Sequence, residues 1–356
     1  MKVSIITVCL NSEKYIEQTI KSILNQTYED IEYIIVDGKS IDNTLSIIEK
    51  YKPLFGARLK VISEKDNGLY NAMNKGIRNS TGDLIGILNS DDWYEKDAIE
   101  QAVRKFEESN ESIIYGGLLN IDEKSNKICR IRIPNYRELD LYNVNHPTVF
   151  VPKKIYDKYG VFLEKYKISA DYELMLRFYK NKINFKYIPK IITNFRDGGI
   201  SNTRKDLCKK EVFEIQQKNK LTQTMYPINP KINSELRFFW NSLIFKINEK
   251  SYNNIYIYGC GTHTERLLDY LPNNIKRNIK GVIDRDVKNK ETFYNLNKYD
   301  INEVKDYAEL IIISSFSFEF EIYKRLLKVV NKEKICRIYG ADSVDEANKI
   351  IGNVIW

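Results

Sequence analysis

Between Val3 and Leu88 the chain alternates short β-branched runs with stretches whose apolar residues recur at helical spacing. No other feature constrains the fold as much, because strand-helix-strand repeats of this kind build parallel β-α-β units. Val3–Leu10 reads as a first strand, and Ser12–Asn25 places Tyr15, Ile16, Ile20, Ile23 and Leu24 at helical spacing. Glu32–Asp37 reads as a second buried strand, followed by a turn at Gly38-Lys39-Ser40 and a helix through Lys50. Leu59–Ser63 supplies a third strand, Gly68–Ser80 a helix and Leu84–Leu88 a fourth strand. The expected class is α/β with a parallel sheet, and such sheets bind ligands at the carboxyl ends of their strands.

The acids fall at those ends. Asp37 closes the second strand, Glu64 and Asp66 follow the third, and Asn89-Ser90-Asp91-Asp92 follows the fourth. Adjacent carboxylates would repel a diphosphate unless a hard cation lay between. Mg²⁺ or Mn²⁺ suits that place, taking one or two carboxylates plus phosphate oxygens and water. Taken alone, such a pair more often caps a helix, here Glu95–Phe106. Asp37, beside Gly38, is suited to accept from a nucleobase N–H or ribose hydroxyls, whereas Asp42 reads as a helix cap. Asp66-Asn67-Gly68 is a turn sequence whose spacing alone implies no catalysis.

Together these segments are identified as resembling the family 2 glycosyltransferases of GT-A fold. The resemblance rests on Ser4-Ile5-Ile6-Thr7-Val8-Cys9-Leu10-Asn11, Asp37-Gly38-x-Ser40-x-Asp42-x-Thr44, Asp66-x-Gly68-x-Tyr70-x-Ala72-Met73-Asn74-Lys75-Gly76 and Leu88-Asn89-Ser90-Asp91-Asp92, and it covers roughly residues 1–200. Cys9-Leu10 departs from it, since many relatives carry an aromatic or small residue before Asn11. The resemblance implies that Thr7 and Val8 line a uracil pocket, that Asp37 hydrogen-bonds the base and that Asp66 lies near the nucleoside. It further implies Asn89 and Asp91 at the ribose or sugar, and Asp92 as the principal metal ligand with Asp91 beside it. Asp171, in Ser169-Ala170-Asp171-Tyr172-Glu173-Leu174, matches the acid placed at a helix start beneath the acceptor. His146 matches a position often near the active site, as a metal ligand or as a structural or substrate-contacting residue.

On the residues alone, Asp171 is either the cap of the helix it heads or a general base, with Glu173 as the fallback. The reaction the resemblance implies is an inverting, metal-dependent transfer. A sugar would move from a nucleotide sugar, a UDP-sugar by resemblance, to a hydroxyl of a glycan or lipid-linked saccharide in surface polysaccharide synthesis. A sugar nucleotidyltransferase would carry a Gly-rich basic loop after the first strand, which Cys9-Leu10-Asn11-Ser12-Glu13 lacks. A non-catalytic nucleotide-sugar-binding protein stays open.

With 356 residues, two domains are expected. The net charge of +8 suits phosphorylated or anionic partners, but no basic tail or block points to nucleic acid. The five cysteines are scattered without a CxxC pair, and no stretch approaches the roughly 20 apolar residues of a membrane span, so a cytoplasmic protein is expected. Ser234–Ile247 carries Leu236, Phe239, Trp240, Leu243 and Ile247 at helical spacing among basic residues. It reads either as an amphipathic linker between domains or as a peripheral membrane helix. Beyond it, Gly259-Cys260-Gly261-Thr262-His263-Thr264 follows an apolar strand as a degraded dinucleotide loop, with Asp284 about 20 residues on. The expected domains are therefore a GT-A unit over 1–230, a helical linker over 231–250 and a Rossmann-like α/β domain over 251–356, the last a packing or oligomerisation module or a nucleotide site.

Overall fold

In the computed structural model the residues described are 1–109, 111–139, 143–199, 203–221, 234–285 and 292–352. The alternating pattern forms β1 (Val3–Cys9), α1 (Ile16–Leu24), β2 (Ile31–Asp37), α2 (Thr44–Phe55), β3 (Leu59–Ser63), α3 (Leu69–Asn79) and β4 (Leu84–Ile87). β1 pairs with both β2 and β4, and β2 with β3, all in parallel. The chain then adds β5 (Trp93–Tyr94), α4 (Ala98–Glu107), β6 (Ile113–Ile121), β7 (Ile128–Arg132), β8 (Phe150–Pro152), α5 (Lys153–Tyr159), α6 (Ala170–Lys180), β9 (Phe185–Arg196) and α7 (Lys205–Lys218). The sheet runs β3-β2-β1-β4-β8-β6-β9-β5, and β8 is antiparallel to β4. A parallel half carrying the first four strand ends thus joins a mixed half.

Alternation along β1 explains why apolar residues occupy both of its faces. Ile6 and Val8 enter one core with Tyr70, Met73 and Ile77 of α3. Val3, Ile5 and Cys9 enter the other with Ile16 and Ile20 of α1 and Ile48 and Phe55 of α2. A strand covered on both faces is apolar at most positions, its buried Ser4 and Thr7 hydroxyls being hydrogen-bonded, and each fully buried Ile contributes about 1.5–3 kcal/mol. α3 lies so close to β1 that a Cβ on Gly76 would come within 2.4 Å of Ile6. Only glycine allows that approach.

Contacts divide the chain into one unit of Met1–Lys127, Arg132–Pro230 and Ile351–Trp356, and a second of Ile128–Ile131 and Lys231–Ile350. The second contains α8 (Ser234–Lys250), β10 (Ile255–Tyr258), α9 (Thr262–Tyr270), α10 (Asn273–Lys276), β11 (Ile279–Ile283), β12 (Lys298–Tyr299), α11 (Ile301–Val304), β13 (Leu310–Ile313), α12 (Glu319–Leu326), β14 (Ile335–Arg337) and α13 (Val344–Ile351). Its sheet is parallel throughout, ordered β12-β11-β10-β13-β14. This is the doubly wound order, with its topological switch between β10 and β13.

Within that unit α8 buries Phe239, Trp240, Leu243 and Ile247, and Trp240 Nε1 donates to the Tyr339 hydroxyl at 2.9 Å. The stripe that a membrane helix would insert is therefore used in packing, leaving Phe245, at 64% exposure, as its one strongly exposed large apolar residue. That favours the packing role over the membrane one. Among the described residues no helix is long and apolar enough to cross a membrane.

Candidate active site

The carboxyl edge of the first sheet holds a set of acids whose oxygens are unequally occupied. Asp37 is fully buried at the end of β2. Its carboxylate accepts from the Lys39 and Ser40 amides at 3.2 Å, from the Ser40 hydroxyl at 2.5 Å and from the Ser63 hydroxyl at 2.7 Å. These donors, with the Cys9 thiol at 3.9 Å, hold the 38–40 turn around the acid expected to meet the base. Thr7 and Val8, the residues expected at the uracil, lie near the carboxyl end of β1. Thr7 is buried, its hydroxyl accepting from Tyr33, and Val8 packs in the core beneath α3.

Two other residues reach the surface at this edge. Asp66 accepts from the Gly68 amide at 2.9 Å and is half-buried. A Cβ on Gly38 would stand 2.6 Å from Asp66 Oδ2 and 3.5 Å from Leu10 Cδ1. A side chain at position 38 would therefore crowd Asp66. Leu10 is 55% exposed, an apolar side chain at the mouth of an otherwise polar edge. Sequence reasoning passed over it, although its departure from the family pattern was the available signal.

Asp91 and Asp92 occupy the turn between β4 and β5. They do not cap a helix, since α4 begins at Ala98 with Asp97 as its N-cap. Antiparallel pairing of Trp93 with Asn194 fixes the far end of the turn, and Thr19 on α1 donates to the Asp92 carbonyl at 2.7 Å. The two side chains diverge. Asp92 is fully buried, Oδ1 accepting from the Arg196 amide at 3.0 Å and Oδ2 from Asn89 Nδ2 at 2.9 Å. Burial, then the neighbouring Asp91 charge, pushes its carboxyl well above the ordinary value. Asp91 is only half-buried, and burial raises it against the opposing pull of Arg196. Each oxygen of Asp92, the expected principal metal ligand, thus accepts one protein hydrogen bond. Asp91 is the more open acid.

Asp171 sits in the first turn of α6, where Ser169 is the N-cap. Its Oδ1 accepts from the Tyr70 hydroxyl at 3.1 Å and its Oδ2 from Asn143 Nδ2 at 2.8 Å, with His146 Nδ1 at 3.6 Å. Burial works to raise this carboxyl, but the His146 hydrogen bond and charge, the Tyr172 amide and Asn143 outweigh it and hold it below its ordinary value. The fallback acid Glu173 is claimed by Arg177, which donates to both its oxygens at 3.1 and 2.5 Å.

His146 joins the two acidic regions. Its Nε2 lies 3.4 Å from Asn89 Oδ1, and its Nδ1 faces Asp171. Asn89 offers its oxygen here because its amide nitrogen is committed to Asp92. Both ring nitrogens of His146, expected as a metal ligand or a substrate-contacting residue, thus lie near side-chain oxygens. Among the described residues no group of three or more His, Cys, Asp or Glu gathers as a metal cage. What remains suits the open mode of Mg²⁺ or Mn²⁺, in which one carboxylate and ligand phosphates share the ion.

The family model for glycosyl transferase family 2 matches residues 4–169. The chain carries a family 2 glycosyltransferase domain. The match takes in all four strand ends of the parallel half and stops just before Asp171. Relatives extend further along this glycosyltransferase. The PGL/p-HBAD biosynthesis glycosyltransferase of Mycobacterium bovis is 29% identical over 213 residues, covering 56% of this chain and 79% of that protein. An uncharacterised glycosyltransferase of Rickettsia prowazekii is 30% identical over 215 residues, covering 56% of this chain and 66% of that protein. The mannosyltransferase PcManGT from Pyrobaculum calidifontis, solved with GDP-Man and Mn²⁺, superposes with a TM-score of 0.50 at 15% identity. That likeness covers 63% of this chain and 65% of the other and identifies the GT-A fold.

Proposed function

We propose that this glycosyltransferase moves a sugar from a nucleoside diphosphate donor to an acceptor hydroxyl with inversion, Asp171 taking the acceptor proton. The observation that carries the reading is the bridge made by His146, one ring that touches both Asn89 of the donor-side turn and Asp171 of α6. It links the proposed base to the turn that carries Asp91 and Asp92.

In the proposed step the acceptor oxygen attacks the anomeric carbon as its proton passes to an Asp171 oxygen. The new C–O bond forms while the bond to the diphosphate oxygen breaks, and that oxygen leaves with the electron pair. A positioned carboxylate of this kind supplies about 10²–10⁴-fold. Tyr70 and Asn143 orient it, and His146 keeps it ionised. Asp91 is the residue that would hold the cation, which when bound supplies Lewis-acid neutralisation of the leaving diphosphate. Asp66 and Leu10 would receive the base, the acid as acceptor for a ring N–H and the leucine as an apolar platform.

A UDP-sugar is the favoured donor and a glycan or lipid-linked saccharide the favoured acceptor. The experiment is a panel of nucleotide sugars assayed for release of nucleoside diphosphate with Mn²⁺, Mg²⁺ or EDTA. Metal-dependent release from one donor, stimulated by a saccharide acceptor, is expected. Binding of donor with no turnover under any condition would leave a non-catalytic sugar-nucleotide-binding protein instead.

A further inference from the structure

The turn that delivers Asp171 is held from outside the sheet. Glu211, in the middle of α7, is 6% exposed and accepts from three consecutive main-chain amides: Lys167 at 2.6 Å, and Ile168 and Ser169 at 2.9 Å each. Those amides immediately precede α6, so the carboxylate sits at the start of the helix whose first turn carries Asp171. A buried carboxylate is costly unless its oxygens are satisfied, and charge-assisted bonds to amides are the strong kind. The same turn is fixed from its other side by Tyr70, whose hydroxyl donates to the Ile168 carbonyl at 2.6 Å and also reaches Asp171 Oδ1 at 3.1 Å.

We propose that Glu211 is a positioning residue for the transfer reaction, clamping the 167–169 turn so that Asp171 is held at the acceptor oxygen. The proposal rests on the reading of Asp171 as the base. Glu211 touches neither donor nor acceptor in this account and acts through the turn alone. An ordinary fold-stabilising clip would cost folded protein when cut, but each remaining folded molecule would turn over as before. A clamp on the base predicts a different result, because displacing a reacting group by about 1 Å can cost 10²-fold.

The test is Glu211→Gln, close in shape but with an amide nitrogen facing the three donors. Its kcat per folded molecule, measured with saturating acceptor, is expected to fall about 10- to 100-fold, with the donor KM within about twofold of wild type. A folded variant with kcat within about twofold of wild type overturns the proposal. Should Glu211→Gln not fold, Glu211→Asp keeps the charge one methylene short. It is expected to lose kcat about tenfold at unchanged donor KM, and an undiminished kcat overturns the clamp equally. Asp171→Asn is measured alongside. If it is inactive while Glu211→Gln is normal, the clamp alone is wrong, whereas an active Asp171→Asn removes the base itself.

Discussion

The two parallel sheets of this chain obey one topological rule and treat their carboxyl edges in opposite ways. In the glycosyltransferase domain Asp37 and Asp92 spend their oxygens on protein donors, while Asp66 and Asp91 are left partly open. In the second unit the groups at the switch between β10 and β13 satisfy one another. The Trp240 indole donates to the Tyr339 hydroxyl, that hydroxyl lies 2.6 Å from His263 Nε2, and His263 Nδ1 lies 2.9 Å from the Ser314 hydroxyl. Thr264, standing where a dinucleotide loop has its third glycine, is buried and donates to the Gly259 carbonyl at 2.8 Å. Strand order supplies a crevice, and what the crevice does depends on which polar atoms are held back for a ligand.

The largest expected effect lies on the open edge. Asp171→Asn should lower transfer by about 10²–10⁴-fold while donor binding is kept, checked by turnover and by titration with the nucleotide. Equal losses in binding and turnover would blur the division of labour drawn between the two acidic regions.

Asp92→Asn addresses the divergence within the acidic pair. One of its two donors, the Arg196 amide or Asn89 Nδ2, would then face an NH₂ group. We expect a stability loss of about 1–3 kcal/mol in denaturant unfolding. Asp91→Asn should leave stability nearly unchanged. If the two variants exchange these behaviours, the assignment of inward and outward acid is reversed.

The closed edge should be sensitive to shape and not to ligand. Gly259 has a φ of +113°, and a Cβ there would stand 3.0 Å from the Ser314 carbonyl. Gly259→Ala should cost about 1–3 kcal/mol of stability, read as a shift in thermal unfolding, with transfer per folded molecule unaltered. A drop in specific activity without unfolding would show that this edge takes part in the reaction.

The smallest effect is a pH slope. Burial, then Arg266, lowers His263 from its ordinary 6.5 to about 4 in the folded protein. Between these values the unfolded chain binds a proton that the folded one does not, so this residue's contribution to stability is complete above about 6.5 and is lost as pH falls toward 4. His263→Gln should flatten the stability curve across that window. An unchanged slope would mean that the ring is solvated and the edge open.

The parallel half was legible because its strands are buried on both faces and its helices carry an apolar stripe. The acids were found at strand ends for the same reason. Their individual duties were not legible. Asp91 and Asp92 are neighbours in sequence, and what parts them is the pairing of Trp93 with Asn194, a contact made a hundred residues away. The partners of Asp171 come from Tyr70 and Asn143 on separate elements, and its clamp from Glu211. β8 has only three residues, and the β6–β9 register shifts at Gly116 and Gly117, so the mixed half gave little period to read.

The central claim is that Asp91 joins a cation to the donor's diphosphate. Calorimetric titration of wild type and Asp91→Asn with UDP, in Mn²⁺ and in EDTA, tests it most directly. Wild type should bind UDP at least tenfold more tightly with Mn²⁺ than with EDTA, a difference of about 1.4 kcal/mol, and Asp91→Asn should lose that difference. Equal affinity in both buffers, or a metal effect that survives in Asp91→Asn, would contradict the account.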